Sequence, residues 1–412
     1  MRKGITLRKK TGVRKNAVNR SLLPIDGGVC APEGFSAGSG YCGFKKDGEH
    51  DLGIIASKKR CPTACVYSTS IKQSAPILLT KKHMENGYAH VIVVNSGRAI
   101  TFQQDGERVV KDICRYADQH CKVITEDVLF ASTGLMGRDL EANIFEDGVR
   151  QAAENLAATH EGSLSVAKAM ASEGVSPMQV SYAFELGAIQ CKIGAVFKAN
   201  LHASPNMATT LVFLTTDVAI TSNMLHKALL HAVNDSLNLM DIDGVPSPND
   251  MACIMANGKA GNWCIDRDDT DYKKFAFALK SVMEQITLTI LRNEKNKKQI
   301  LRCRVFGAKS AQDARYLAKT FVSNHKIKMD AKEAKVNAEN FLFHIAQIGA
   351  AQKFEHVQIF VSSEFGEIML FDASIRTPDM PTYMAKVFEA DLVQISVKVA
   401  KGNYSAMGST CV

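Results

Sequence analysis

The chain has 412 residues, 46% hydrophobic and 22% charged, the composition of a globular protein long enough for two or three packed units. It contains no run of about 18 to 20 apolar residues able to cross a bilayer, and no apolar stretch at its start that would serve as a secretory signal. The net charge of +8 comes from the first twenty residues, which carry eight Lys or Arg and no acid; the remainder balances at 42 against 42, so a basic surface for nucleic acid is not indicated.

Residues 1–26 read as a basic leader without stable structure. Its basic and apolar residues scatter around the helical wheel, and Gly4 and Gly12 weaken any helix. A solvated tail, a mitochondrial-type transit segment and an RNA or phosphate contact are the three readings, and the lack of aromatic side chains speaks against the last. The expected compartment is the cytoplasm, or the mitochondrial matrix if the leader is a transit segment. The eleven cysteines are odd in number and scattered, as free thiols in a reducing compartment are. Cys61 and Cys65 could begin a metal site, but no second pair completes it.

Along the chain, helical and extended patterns alternate. His90 to Val94 and Val128 to Ala131 are short apolar strands that run into the small polar turns Asn95-Ser96-Gly97 and Ser132-Thr133-Gly134. Leu140 to Ala158, Ser222 to Leu239 and Tyr272 to Leu291 carry apolar residues at helical spacing. Ile193 to Phe197 and Thr210 to Thr215 read as strands, with a loop between them that holds Pro205. Leu301 to Phe306 predicts a strand, Ala311 to Val322 a helix and His356 to Val361 a further strand. The fold class this alternation predicts is mixed α/β, with layered sheets covered by helices.

The segment from Lys198 to Asp217 contains Pro205-Asn206-Met207-Ala208-Thr209 followed by a hydrophobic strand ending in Thr215-Thr216-Asp217. It resembles the signature of the ornithine acetyltransferase family. Gly27 to Phe35, Asp51 to Ser57, Asn95-Ser96-Gly97, Ser132 to Gly137, Ser236 to Asn238, Asp243-Gly244, Asn249-Asp250 and Ala256 to Gly258 resemble further motifs of that family, in the family's order.

The resemblance implies a self-processing, N-terminal-nucleophile-like architecture in which the chain cuts itself between Ala208 and Thr209. The expected division is 1–26 as leader, 27–208 as the first chain and 209–412 as the second, beginning with the nucleophile. A freed Thr209 would carry its own base, since an α-amine has an unperturbed pKa of about 7.7 to 8.0. Its hydroxyl is expected at an accessible position. Thr133 and Gly134 would form the oxyanion hole, and Lys198, eleven residues before the threonine, would hold a substrate carboxylate or stabilise charge. Ser172 and Glu294 would add substrate contacts.

The implied reaction moves acetyl from N-acetylornithine to glutamate through an acetyl-Thr209 ester, with acetyl-CoA as a further donor and no metal or organic cofactor. The partners implied are these small molecules and the two processed chains themselves, as a dimer of such pairs; neither nucleic acid nor a membrane is expected. The sequence departs from the family pattern at Ser172-Glu173-Gly174, at Ala199 and Leu201, at Arg292 to Lys298, at Asn340-Phe341 and after Gly408. These departures predict a weaker hold on an amino-acid substrate, and keep two alternatives in view: a homologue serving as a binding or structural protein, and an amidase for another acyl group.

Overall fold

The computed structural model describes residues 22–46, 48–199, 209–241, 247–294, 299–347, 356–373 and 381–412. Most of the basic leader, the loop 200–208 with Ala208, and Asp243-Gly244 lie outside the described residues. The strands are β1 (Leu23–Pro24), β2 (Phe35–Gly40), β3 (Leu52–Tyr67), β4 (Tyr88–Asn95), β5 (Val128–Ser132), β6 (Met178–Leu186), β7 (Ile189–Ala199) and β8 (Thr210–Thr216). They continue as β9 (Met240–Asp241), β10 (Met251–Ala256), β11 (Ile300–Ala308), β12 (Gln358–Ser363), β13 (Gly366–Asp372), β14 (Leu392–Lys398) and β15 (Tyr404–Cys411). The helices are α1 (Ala75–His83), α2 (Gly106–Cys121), α3 (Glu146–Glu154), α4 (His160–Met170), α5 (Ser222–Asn234), α6 (Thr270–Arg292), α7 (Ala311–Ser323), α8 (His325–Lys332), α9 (Glu339–Gln347) and α10 (Pro381–Val387).

Nine strands form one sheet in the order β1-β6-β7-β8-β10-β3-β4-β5, with β2 beside β3. Strand β3 folds this ribbon in two. Its first half pairs with β2 and β4, its second half with β10, and its pairing with β4 slips between Ala56 and Cys61, where Lys58, Lys59 and Arg60 are exposed. Such a bulge bends a 16-residue strand. The two halves therefore face each other: Ile92, Val94, Leu129 and Ala131 of one share a buried cluster with Val196, Leu211, Phe213 and Cys253 of the other. Each fully buried Leu or Phe in such a cluster contributes about 1.5–3 kcal/mol.

Helices cover both outer faces, which gives the layered α/β arrangement that the alternating pattern predicts. Leu225 and Leu229 of α5 and Phe275, Val282 and Ile286 of α6 pack on Ile193, Phe197, Val212 and Leu214. Val109 and Ile113 of α2 and Phe145 and Val149 beside or on α3 pack on Val91, Val93, Val128 and Phe130. The long helix starts where Asp269 accepts the N–H groups of Asp271 and Tyr272, a cap worth about 1 kcal/mol. The helix expected over 140–158 is shorter: α3 ends at Glu154 because Ala157 exchanges two backbone hydrogen bonds with Ala37 (3.0 and 3.1 Å).

A second sheet, β13-β12-β14-β11-β15-β9, carries its own core. Leu301, Cys303, Val305, Ile359 and Ile395 pack there with Leu317, Phe321, Ile327 and Phe341. The pair Asn340-Phe341, one of the expected departures from the family pattern, lies in the first turn of α9, with Phe341 in this core. Position 209 does not divide the packing in the same way. Strand β8 follows it directly and lies between β7 from the earlier part of the chain and β10 from the later part.

Candidate active site

Side chains alternate along a strand, so the residues that share one face can be read from the core. Val196 of β7 faces the other sheet and Phe197 faces α6, which turns Lys198 back between the sheets. Leu211 and Phe213 of β8 also face inward, and the same alternation directs Thr209 there. On β5, Leu129 and Ala131 face inward, and Thr133 follows them, its N–H still bonded to the Asn95 carbonyl (3.1 Å). Lys198, Thr209 and Thr133 thus belong to the inner faces of the two packed sheets.

Thr209 is only 4% exposed, so the hydroxyl expected at an accessible position is buried. It lies at the buried start of β8, beside the turn that precedes β10. Thr209 Oγ1 lies 2.9 Å from Ser247 Oγ. The Ser247 Oγ in turn accepts the Asn249 N–H at 3.2 Å. Asp250 joins the two segments: one carboxylate oxygen accepts the Thr210 N–H (2.7 Å) and the other the Ser247 N–H (2.9 Å). Burial pushes the Asp250 carboxyl up to about 6, against the opposing pull of those two N–H groups.

The turn after β5 is built around Gly134. Its φ is +134°, and a Cβ there would stand 2.3 Å from the Gly97 carbonyl carbon and 2.4 Å from the Arg98 nitrogen, so only glycine fits. Leu135 N–H bonds to Gly97 O (3.0 Å) and Ala99 N–H to Leu135 O (2.9 Å), which ties this turn to the one after β4. Ile100 N–H adds a bond to Ser132 Oγ (3.0 Å). The Thr133 side chain is buried, and its Oγ1 has no hydrogen-bond partner among the described residues. An unmet buried hydroxyl costs about 1–3 kcal/mol, and here it offers a donor to whatever occupies the space beside it.

Lys198 is 3% exposed, and its ammonium is lowered to about 7, first by burial and then by the charge of Lys45. Lys45 sits in a loop held by Asp51, whose carboxylate accepts the N–H groups of Cys42 (2.7 Å), Phe44 (2.6 Å) and Lys45 (3.2 Å). Lys45 Nζ donates to the Lys168 carbonyl (2.9 Å) near the end of α4, and Ser172 follows that end, half-buried. Phe44 lies against Gly97, and Ser96 Oγ donates to the Ala169 carbonyl (2.6 Å). Lys45, whose charge acts on Lys198, and Ser96, beside Gly97, are thus both tied to the last turn of α4, just before Ser172 in the chain. Glu294 is buried as well, two residues past the end of α6.

The expected nucleophile, lysine and oxyanion turn thus lie on the inner faces that the fold of β3 brings together. Ser247 and the clasp made by Asp250 were not picked out by sequence reasoning. The only available signal was the order of the Asn249-Asp250 motif, which carries no role by itself. What the arrangement offers is a buried hydroxyl with a hydroxyl neighbour, an unmet donor on the facing sheet, and a buried amine that is only partly charged near neutrality.

The sequence profile of the ArgJ family matches residues 36–412. The arginine biosynthesis bifunctional protein ArgJ of Symbiobacterium thermophilum is 34% identical over 307 residues, 74% of this chain and 76% of that protein. The glutamate N-acetyltransferase of Methanocaldococcus jannaschii is 28% identical over 394 residues, 94% of this chain and 96% of that protein. Among solved structures, ArgJ of Bacillus halodurans aligns with a TM-score of 0.42 at 26% identity, over 45% of this chain and 98% of the solved one.

Proposed function

Since the chain belongs to the ArgJ family, we propose that it is an acetyltransferase of arginine biosynthesis that moves acetyl from N-acetylornithine to glutamate through Thr209. The observation that carries the reading is the placement of Thr209, buried at the head of β8 on the same inner faces as Lys198 and Thr133. Cleavage between Ala208 and Thr209 would free the threonine amine. Oγ1 then attacks the acetyl carbonyl as its proton passes to that amine, and the oxyanion takes hydrogen bonds from the Thr133 hydroxyl and the Gly134 N–H. Collapse releases ornithine, which leaves with the proton, and the α-amine of glutamate attacks the ester to complete the exchange. One oxyanion donor of this kind is worth about 3 kcal/mol.

Lys198, whose charge is opposed by Lys45, supplies the electrostatic end of the pocket, suited to a substrate carboxylate in its charged form, with Ser172 as a further substrate contact. Glu294, buried just past α6, is kept in the reading as a further substrate contact. The two chains would stay together after the cut, because β8 remains hydrogen-bonded to β7 across it. The reading includes a dimer of such pairs, and acetyl-CoA as a further donor. Its compartment is the cytoplasm, in keeping with the odd number and scatter of the cysteines.

Intact mass of the purified protein, before and after N-acetylornithine is added, tests this. Two chains, the second starting at Thr209 and gaining one acetyl group that labelled glutamate removes, are expected. A single undivided chain, or an acetyl group on another residue, would defeat the reading.

A further inference from the structure

The Thr209 hydroxyl has a buried neighbour that the exchange reaction leaves unused. Ser247 Oγ stands 2.9 Å from Thr209 Oγ1, and Ser247 is 8% exposed. It is fixed from two directions, by the Asn249 N–H on its Oγ (3.2 Å) and by Asp250 on its own N–H (2.9 Å). A serine hydroxyl has one proton and two lone pairs. With one lone pair occupied by Asn249, the other and the proton are left for Thr209. The Oγ1 and the nitrogen of Thr209 are joined through only two carbon atoms, so one hydroxyl seated beside Oγ1 can serve both.

Before the chain is cut, the Thr209 nitrogen is an amide and cannot act as a base. The Oγ1 proton must still reach that nitrogen for the peptide bond to break. We infer that Ser247 is the catalytic hydroxyl that relays this proton during self-cleavage, an inference that rests on Ala208–Thr209 being the cleaved bond. As Oγ1 bonds to the Ala208 carbonyl carbon, Ser247 Oγ accepts the Oγ1 proton and passes its own to the Thr209 nitrogen. The C–N bond then breaks with its electron pair on nitrogen, leaving an ester and a free amine. Water hydrolyses the ester to the Ala208 carboxylate and the Thr209 hydroxyl, and Ser247 ends as it began. Asp250 is a positioning residue here, because its two oxygens hold the Thr210 and Ser247 backbones at a fixed spacing.

The test follows the full chain from cell-free synthesis, reading by intact mass the first-order appearance of two chains. General acid–base groups contribute about a hundredfold or more, so Ser247→Ala should slow the split by at least about a hundredfold, and Ser247→Thr should restore it to within about tenfold. Thr209→Ala should remain whole, and its thermal midpoint serves as the folding reference for Ser247→Ala. A folded Ser247→Ala chain that splits within about threefold of the wild-type rate would overturn the relay. A wild-type chain that stays whole would instead remove the cleavage reading, and the relay with it. If Ser247→Ala fails to fold, the wild-type rate in mixtures of light and heavy water decides: two protons in flight give a bowed dependence on deuterium fraction, and a straight line rejects the relay.

Discussion

Thr101 and Asn249 are buried and hydrogen-bonded side chain to side chain, Oγ1 to Oδ1 at 3.1 Å and Nδ2 to Oγ1 at 2.9 Å. Thr101 ends the turn that grips Gly134, and Asn249 lies in the turn that holds Ser247 against Thr209. The pair therefore connects the loops of the two facing sheets, one bearing the oxyanion candidate and the other the nucleophile.

Thr101→Val, which keeps shape but removes the hydroxyl, should destabilise the protein by about 1–3 kcal/mol, because the Asn249 amide is left buried without that partner. The same change should lower kcat more than it raises KM, since it lets the two halves of the site drift without removing a group that binds substrate. Chemical denaturation and steady-state kinetics on one preparation check both. A variant as stable and as active as the wild type would mean that the two loops are held by other contacts.

At Gly134 steric exclusion and backbone conformation act together. Gly134→Ala would place a methyl against the Gly97 and Arg98 backbone in a φ region that L residues avoid, so the turn must open. The expected outcome is a loss of kcat of about a hundred- to a thousandfold, the effect of a displaced oxyanion donor. Gly137→Ala is the control. Gly137 also has positive φ (89°), but a Cβ there meets nothing within 4 Å, so only the smaller conformational effect should appear.

The elements that carry polar turns were legible because each is a run of β-branched or apolar residues ending in small polar ones. Val128 to Ala131 and Thr210 to Thr215 are examples, and both strands are found within a residue or two of the expected bounds. Of strand β3 only Asp51 to Ser57 stood out in the sequence, as a stretch resembling a family motif. Lys58, Lys59, Arg60 and Pro62 interrupt its pattern, yet the bend they mark is what folds Thr133 over toward β8. Ser247 could not be read at all, since a serine between two prolines, 38 positions from the nucleophile, has no local signature that pairs it with a threonine. Burial of Thr209 was missed for a related reason: it depends on the turn before β10, which closes over β8 only in three dimensions.

Asp250 gives activity and stability opposite responses to acid. Its carboxyl titrates near 6 in the folded protein and near 3.8 when unfolded. Below about pH 6 a protonated oxygen can no longer accept as freely from the Thr210 or Ser247 N–H, so turnover should fall along an acid limb with a midpoint near 6. The folded state takes up this proton more readily than the unfolded one. The contribution of this group to stability is therefore fully present below 3.8 and lost as pH rises through 6. Asp250→Asn should remove that acid limb while lowering activity at all pH values, because its amide faces one of the two N–H groups with a donor. Retention of the limb in Asp250→Asn would assign it to another group.

Lys198 offers the sharpest separation of function from stability. The ammonium is buried, and its pKa falls from 10.5 unfolded to about 7 folded because burial and Lys45 both disfavour the charge. A depressed folded value means that the group's best contribution to stability lies above pH 10.5 and is lost as pH falls through 7. At pH 6 the folded protein therefore carries a strained cation whose cost is on the order of 5 kcal/mol, an upper figure because solvent and chain relaxation reduce it. Lys198→Met fills the same volume without the charge. It should raise the thermal midpoint at pH 6, raise it less at pH 9, where the folded lysine is already neutral, and abolish most of the acetyl exchange. Scanning the thermal midpoint of both proteins from pH 6 to 10 measures this directly. A gain that stays constant across the range would show that the change acts through packing, and a loss at pH 6 would show that the buried ammonium is stabilised in place.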